Sequence, residues 1–262
     1  MCLIALAHHP DSPVVLRLVA NRDESHARPT AALDAWEDAP DIIGGRDLQA
    51  GGGWLAVHRD GRFAAVTNVR DPGLPTPARP PSRGDLVRAA LECDDPAAWL
   101  GELADGGARR YAGFNLLTGD GRRLWCLHRG RERITLERLP AGLHGLSNAE
   151  RNTPWPKLIA ARHGLADSLR EGRWPDDALA VMSDSREAED ARLPDTGIGR
   201  TLERRLSAAF IVGQEYGTRA TSWLEWRADG RLSIGERRFG PNGIMLGEHQ
   251  LTLATPSLPS VS

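Results

Sequence analysis

Cysteine is scarce in this chain: Cys2, Cys93 and Cys126 are the only three, and none stands in C-x-x-C spacing. That excludes a disulfide scaffold and a cysteine-based zinc site, and it fits a reducing, intracellular compartment. Long apolar runs are also missing. His8, His9, Pro10 and Asp11 cut the first one short, so the N-terminus does not read as a signal peptide, and no later stretch is long enough to span a bilayer. Neither sign of charge dominates, with 33 basic and 35 acidic residues and a net charge of -2. The basic residues are nearly all arginine, in short clusters such as Arg109-Arg110, Arg122-Arg123 and Arg204-Arg205 scattered among acids. Solvated faces explain them, and no nucleic-acid footprint is expected. The reading is of a soluble cytoplasmic protein with no integral membrane segment.

What is present suffices for a core: 262 residues, of which 40% are apolar. One domain is expected over residues 1–253, followed by a Pro- and Ser-rich flexible tail, 254–262. Three Asp-Gly dipeptides lie between strand-like runs and predict two-residue hairpin turns. They join residues 54–58 to 62–67, 114–118 to 123–127, and 223–227 to 232–237. A fourth pair joins residues 3–7 to 14–20. Helical periodicity fills the intervals. Ser82-Arg83-Gly84-Asp85 reads as a capping box before Leu86, Val87, Ala90 and Leu91, and Asp95-Pro96 as an N-cap before Trp99, Leu100 and Leu103. A second pair of helices follows Trp155-Pro156 and Pro175. Segments 71–81 and 186–199 read as loops. Hairpins and helix pairs alternating in blocks define an α+β chain, most simply two sheets between helical layers.

Cys2 carries the chemistry. Removal of Met1 would leave a thiol and a free α-amine on one residue, a nucleophile and its base, with ordinary pKa values of about 8.5 and about 7.7 to 8.0. If the first hairpin turns through residues 8–13, Ala7 faces Val14 and Cys2 faces Val19. Asn21, Arg22, Asp23 and Glu24 then emerge at the same sheet edge. A guanidinium favours thiolate, and a carboxylate can hold the α-amine. The same arithmetic pairs Arg59 with Arg62 and Gly53 with Asn68, so the Gly51-Gly52-Gly53 run lies beside an amide donor. Asn148 ends another strand-like run, and Arg219 enters the last hairpin. Trp155, between prolines near Asn148, is read as a pocket wall. Cys126 and His128 share a strand face, which is ordinary sheet packing. Cys93, at a helix end, reads as a structural thiol.

These pieces resemble the NRDE family, which includes the homologues of Transport and Golgi organization protein 2. The matching residues are Met1-Cys2, Ala20-Asn21-Arg22-Asp23-Glu24 with Arg28-Pro29-Thr30, Gly44-Gly45-Arg46-Asp47, Gly51-Gly52 with Trp54-Leu55, Thr67-Asn68, Ser82-Arg83-Gly84 and Gly113-Phe114-Asn115-Leu116. They continue through Ser147-Asn148, Thr153-Pro154-Trp155-Pro156-Lys157, Leu193-Pro194-Asp195-Thr196-Gly197 and Tyr216-Gly217-Thr218-Arg219. The resemblance implies an N-terminal nucleophile hydrolase fold, a four-layer αββα sandwich. By likeness to the cysteine hydrolases of bile-salt conjugates and penicillin V, it implies catalytic roles for Cys2, Arg22, Asp23, Asn68, Asn148 and Arg219. Asn21, Glu24, Gly52, Gly53 and Trp155 are the expected substrate contacts. Gly53 departs from the family's usual threonine, and Glu150-Arg151-Asn152 from a leucine-rich stretch, both near the expected pocket rim.

The activity implied is hydrolysis of a linear amide or related acyl bond in a small-molecule substrate, with no cofactor and no metal. The alternative is a binding or trafficking protein for a hydrophobic ligand such as haem or a lipid. Against haem attachment there is no C-x-x-C-H, and His8 and His9 would point to opposite faces of a strand. Oligomeric state stays open.

Overall fold

Alternation along the first strand divides the molecule. In β1 (Cys2–His8), Leu3, Ala5 and Ala7 pack toward helices, whereas Ile4 and Leu6 enter the apolar layer between two sheets. The structure is a computed structural model and describes residues 2–257. After β1 come β2 (Val14–Ser25), β3 (Thr30–Trp36), β4 (Ala39–Asp47), β5 (Gly53–His58) and β6 (Arg62–Asn68). Helices α1 (Gly84–Glu92) and α2 (Pro96–Ala104) precede β7 (Phe114–Gly119), β8 (Leu124–Arg129), β9 (Ile134–Arg138) and β10 (Gly142–Leu146). The chain then forms α3 (Pro156–Arg170), α4 (Asp176–Met182), α5 (Arg200–Arg205), β11 (Tyr216–Arg227), β12 (Arg231–Phe239) and β13 (Met245–Ala254).

The strands form two antiparallel sheets, ordered β10-β1-β2-β11-β12-β13 and β3-β4-β5-β6-β7-β8-β9. Their facing sides share a core of side chains such as Leu18, Leu55, Phe63, Leu117, Leu224 and Ile234. Leu86, Val87, Leu91, Leu100 and Leu103 of α1 and α2 cover the outer face of the seven-stranded sheet. Leu158, Leu165, Leu179 and Met182 of α3 and α4 cover the six-stranded one. Each element buries one apolar face, and the outcome is the expected αββα sandwich. Among the described residues, no helix is long and apolar enough to cross a membrane.

All four expected hairpins form, but their turns differ from the expectation. In the first and third Asp-Gly hairpins the loops are residues 59–61 and 228–230, with Gly61 and Gly230 at φ of +89° and +88°. Asp-Gly thus supplies the last two positions of a three-residue loop, a type I turn closed by a left-handed glycine. His58, not Arg59, pairs with Arg62, so Asn68 is displaced from the expected partner Gly53. The second loop spans residues 120–123, where Asp120 accepts from the backbone N–H of Arg122 and Arg123. The β1–β2 register is corrected as well: Ala7 pairs with Arg17, and Cys2 with Arg22 rather than Val19. His9 N–H donates to Val15 O and Ser12 N–H to His9 O, so the turn takes in residues up to 15 and β2 slides by three.

Asp95 caps α2 as expected, accepting from Ala97 and Ala98 N–H at 3.0 Å each. The capping box on α1 does not form. Arg83 is the N-cap, and Ser82 instead accepts from Gly84 N–H at 3.2 Å, one residue too early to cap. Strands β3, β4, β9 and β13 and helix α5 lay outside the sequence expectation. At the end of the chain Thr255 N–H donates to Gly230 O at 2.8 Å, holding the start of the expected tail to a hairpin turn. The remainder of that tail, 258–262, lies outside the described residues, as does Met1.

Helix α1 sits against the start of β5 because two glycines face each other. A Cβ on Gly52 would come within 2.4 Å of the Gly84 backbone. Gly52→Ala is therefore expected to destabilise the fold by about 1–3 kcal/mol. Gly101, inside α2 with open space around it, is the counterpart: Gly101→Ala is expected to stabilise by about 0.5–1 kcal/mol. Urea unfolding of the two variants checks both signs, and a neutral Gly52→Ala would refute the close approach.

Candidate active site

The β1–β2 register builds the site. Cys2 and Arg22 are directly opposite one another, and in an antiparallel pair opposite residues share a face. Both side chains therefore enter the cleft where the two sheets part, a cavity of about 530 Å³. Cys2, Arg22, Asp23, Glu24, Gly53 and Asn68 line it, joined by residues from the α1 entry loop and by Tyr216. Burial pushes the Cys2 thiol up from its ordinary value, against the opposing pull of Arg22 and Arg83.

Arg22 is almost fully buried and stacked on Trp54, its guanidinium carbon 4.2 Å from the ring centroid. It donates to Thr30 Oγ1 at 3.1 Å and lies 3.9 Å from Asp47 Oδ2. Asp47 is held more tightly by Arg28, at 2.6 Å. Asp23 accepts from Thr218 Oγ1 at 2.7 Å on β11, and Tyr216 donates to its backbone carbonyl at 3.2 Å. Burial raises the Asp23 carboxyl, and Lys157 draws it back. Lys157 is the single lysine among the 33 basic residues. It is buried under the site, donating to Leu206 O at 2.9 Å, and burial pulls its ammonium down.

Asn148 is fully buried, and its Nδ2 donates to Asn68 Oδ1 at 2.9 Å and to Asn68 O at 3.0 Å. This fixes the Asn68 carboxamide with its oxygen toward Asn148 and its NH2 free to face elsewhere. Asn68 lines the Cys2 cavity; Asn148 lines a neighbouring one, of about 720 Å³. Ser147 Oγ donates to Cys2 O at 3.4 Å, so the same turn also holds the first strand.

Besides Asn148, four expected site residues lie away from the Cys2 cavity. Asn21 alternates to the helix face, donating to Met182 O and Ala209 O at 2.7 and 2.8 Å and accepting from Thr221 Oγ1. Gly52 provides the approach of α1. Trp155 belongs to the core under α3 and stacks beneath Arg70, which pairs with Glu203 at 2.9 Å. Arg219 donates to Ser25 O and Arg28 O at 2.7 and 3.0 Å, tying down the loop after β2 rather than lining the cavity. His8 contacts Gly121 O at 3.1 Å, and neither it nor His9 lines the Cys2 cavity. Among the described residues no cluster of three or more His, Cys, Asp or Glu side chains is placed to hold a metal. Sequence reasoning did not single out Arg28, Asp47, Arg83, Lys157 or Tyr216. All five stand inside the quoted motifs, which was the available signal.

The two facing antiparallel sheets, with helices outside and the first strand's N-terminus opening into the cleft between them, are the N-terminal nucleophile hydrolase fold. A conjugated bile acid hydrolase from Clostridium perfringens, solved as a C2A mutant, superposes with a TM-score of 0.51 at 10% identity, covering 100% of this chain and 99% of that one. The chain belongs to the Transport and Golgi organisation 2 family, whose model matches residues 1–241. It is 34% identical to the Transport and Golgi organization protein 2 homologs of Bos taurus over 263 residues and Homo sapiens over 259, covering 90% of this chain and 92% of each relative.

Beneath Arg22 and Trp54, Glu236 on β12 clasps the two sheets. It accepts from Leu33 N–H on β3 at 3.1 Å and from Ser222 Oγ at 3.5 Å. Burial pushes its carboxyl up from 4.5 to about 7. A carboxyl raised in the folded state favours folding fully below pH 4.5, and that contribution is lost as pH climbs through about 7. Glu236→Gln, permanently neutral, is expected to flatten the fall in stability across this window. Urea midpoints measured along a pH series check it, and parallel curves for wild type and variant would contradict the assignment.

Proposed function

We propose that the chain, once Met1 is removed, hydrolyses a linear amide or related acyl bond through an acyl-enzyme on Cys2. The observation that carries the reading is the side chain of Cys2 in a cavity that also holds Arg22, Asp23 and the carboxamide of Asn68. The fold supports it as well, since the bile acid hydrolase it resembles is a hydrolase by its name.

In this mechanism the freed α-amine of Cys2 takes the thiol proton, directly or through one water. The sulfur adds to the carbonyl carbon and the carbonyl electron pair moves onto oxygen. Arg22 stabilises the thiolate before attack, and Asp23 holds the α-ammonium after proton transfer. The oxyanion accepts from the Asn68 NH2, which Asn148 orients from behind. Collapse of the tetrahedral intermediate breaks the C–N bond, and the amine leaves with the proton from the α-ammonium. Water then adds to the thioester, its proton passing to the α-amine, and the sulfur departs to regain its proton. Arg219 acts at one remove, by fixing the loop that carries the Arg22-Asp23-Glu24 strand end.

Loss of one oxyanion donor typically lowers turnover roughly 100- to 1000-fold, and Asn68→Ala is expected to fall in that range. Asn148→Ala is expected to lose turnover too, and Asn148→Asp, which keeps the shape but replaces the amide donor, should not rescue it. Mass spectrometry of the protein quenched with an activated acyl amide tests the reading itself. A single acyl adduct on Cys2, absent in Cys2→Ala, is the expected result; acylation at Cys93 alone, or nowhere, would overturn it.

A further inference from the structure

Three guanidinium groups line the Cys2 cavity, and they are not equivalent. Arg28 and Arg22 share the carboxylate of Asp47, at 2.6 and 3.9 Å. Arg83, at the start of α1, donates among the described residues only to the backbone carbonyl of Gly113, at 3.3 Å. Among the described residues no carboxylate lies within ion-pair distance of it. The opposing charges whose fields reach it are an ionised Cys2 sulfur and then Glu24, whose Oε1 accepts from Ser25 N–H at 2.8 Å. Arg83 is walled in on most sides, and burial draws its charged form down. A guanidinium held in a half-buried wall without a counter-charge carries a desolvation cost that an ordinary surface arginine escapes. Its fork of donors matches a carboxylate or phosphate.

We infer that Arg83 is an oxyanion-recognition residue of this cavity, so that the acyl compound reaching Cys2 carries a carboxylate or phosphate group. The inference rests on the proposed hydrolase for the word substrate, but the binding it asserts does not need turnover. Removing that anion's water is offset by a cation that has already lost part of its own. Arg22 and Arg28 are poorer alternatives, because Arg28 is paired with Asp47 at 2.6 Å and Arg22 is stacked on Trp54 and donates to Thr30 Oγ1. The site therefore selects for charge at one end of the ligand, while the carbonyl is presented to Cys2 and Asn68.

Calorimetric binding to the full-length Cys2→Ala protein tests this with three probes: N-dodecanoylglycine, its neutral carboxamide N-dodecanoylglycinamide, and dodecyl phosphate. The carboxylate is expected to bind roughly tenfold or more tightly than the carboxamide. Arg83→Gln should erase that difference, chiefly by weakening the anionic probes, and Arg83→Lys should restore part of it. Glu24→Gln, which removes the competing charge, should tighten the anionic probes, and it keeps the test open if Arg83→Gln fails to fold. Tighter binding of dodecyl phosphate than of the carboxylate would assign the group as phosphate. Equal affinity for carboxylate and carboxamide in the parent protein, or a difference that survives Arg83→Gln, would overturn the inference. Acylation of native Cys2 by neutral amides alongside such a result would leave the hydrolase standing without the anion site. Charge-selective binding without any Cys2 adduct would do the reverse.

Discussion

The pairing of Cys2 with Arg22 across β1 and β2 is the constraint from which the site follows. β2 is held on both edges, by β1 on one side and by β11 on the other, so neither its position nor its alternation is free. Side chains on a strand alternate, and a slip of one residue would reverse every one of them. In the observed register Cys2 and Arg22 open into the cleft, and Asn21 is sent to the helix layer to bind the ends of α4 and the segment before β11. The signature tetrapeptide is thus divided by the pleat. Asn21 anchors the strand, Arg22 and Glu24 face the cavity, and Asp23 reaches it from the strand end with support from Thr218.

Around that strand the molecule concentrates buried charge. Asp23, Lys157, Glu236 and the Arg70–Glu203 pair lie within or beside the two layers flanking the cleft, and each has a hydrogen-bond or ionic partner from another element. Charges taken from water are costly unless paired, so these contacts tie β11 to β2, β3 to β12, α3 to the end of α5 and α5 to the segment after β6. The paired arginines over Trp54 and Trp155 add planar stacking to the same purpose. Against this background the solitary setting of Arg83 is an exception within a site whose other cations are satisfied.

The sandwich was legible because its signals are local. Asp-Gly turns, Asp95-Pro96 and the helical spacing of Leu86, Val87 and Leu91 report on neighbours a few residues away. The turn lengths were not legible to the residue, since Asp-Gly serves two-residue and three-residue loops alike, and the β1–β2 register depended on a turn with no such dipeptide. β4 was hidden by its own glycines, which let it approach Trp54: a Cβ on Gly45 would lie 2.1 Å from that ring. For the site, strand ends alone placed Cys2 near Arg22, Asp23 and Glu24, and Gly53 near Asn68, each in a register the structure shifts, and only the family resemblance joined the two groups. Asn148, Arg219 and Trp155 were assigned by order along the chain, and order does not tell a residue that faces a cavity from one that stands behind it. Lys157 and Arg83 had no local periodicity to announce them, since what matters about each is the charge across the fold.

The proposed chemistry requires a free α-amine beside the Cys2 sulfur. Intact-mass measurement of the purified native protein, with N-terminal sequencing, tests it most directly. Loss of Met1 and a first cycle reading cysteine are what the account requires; a chain that retains Met1 in its active preparation would contradict it.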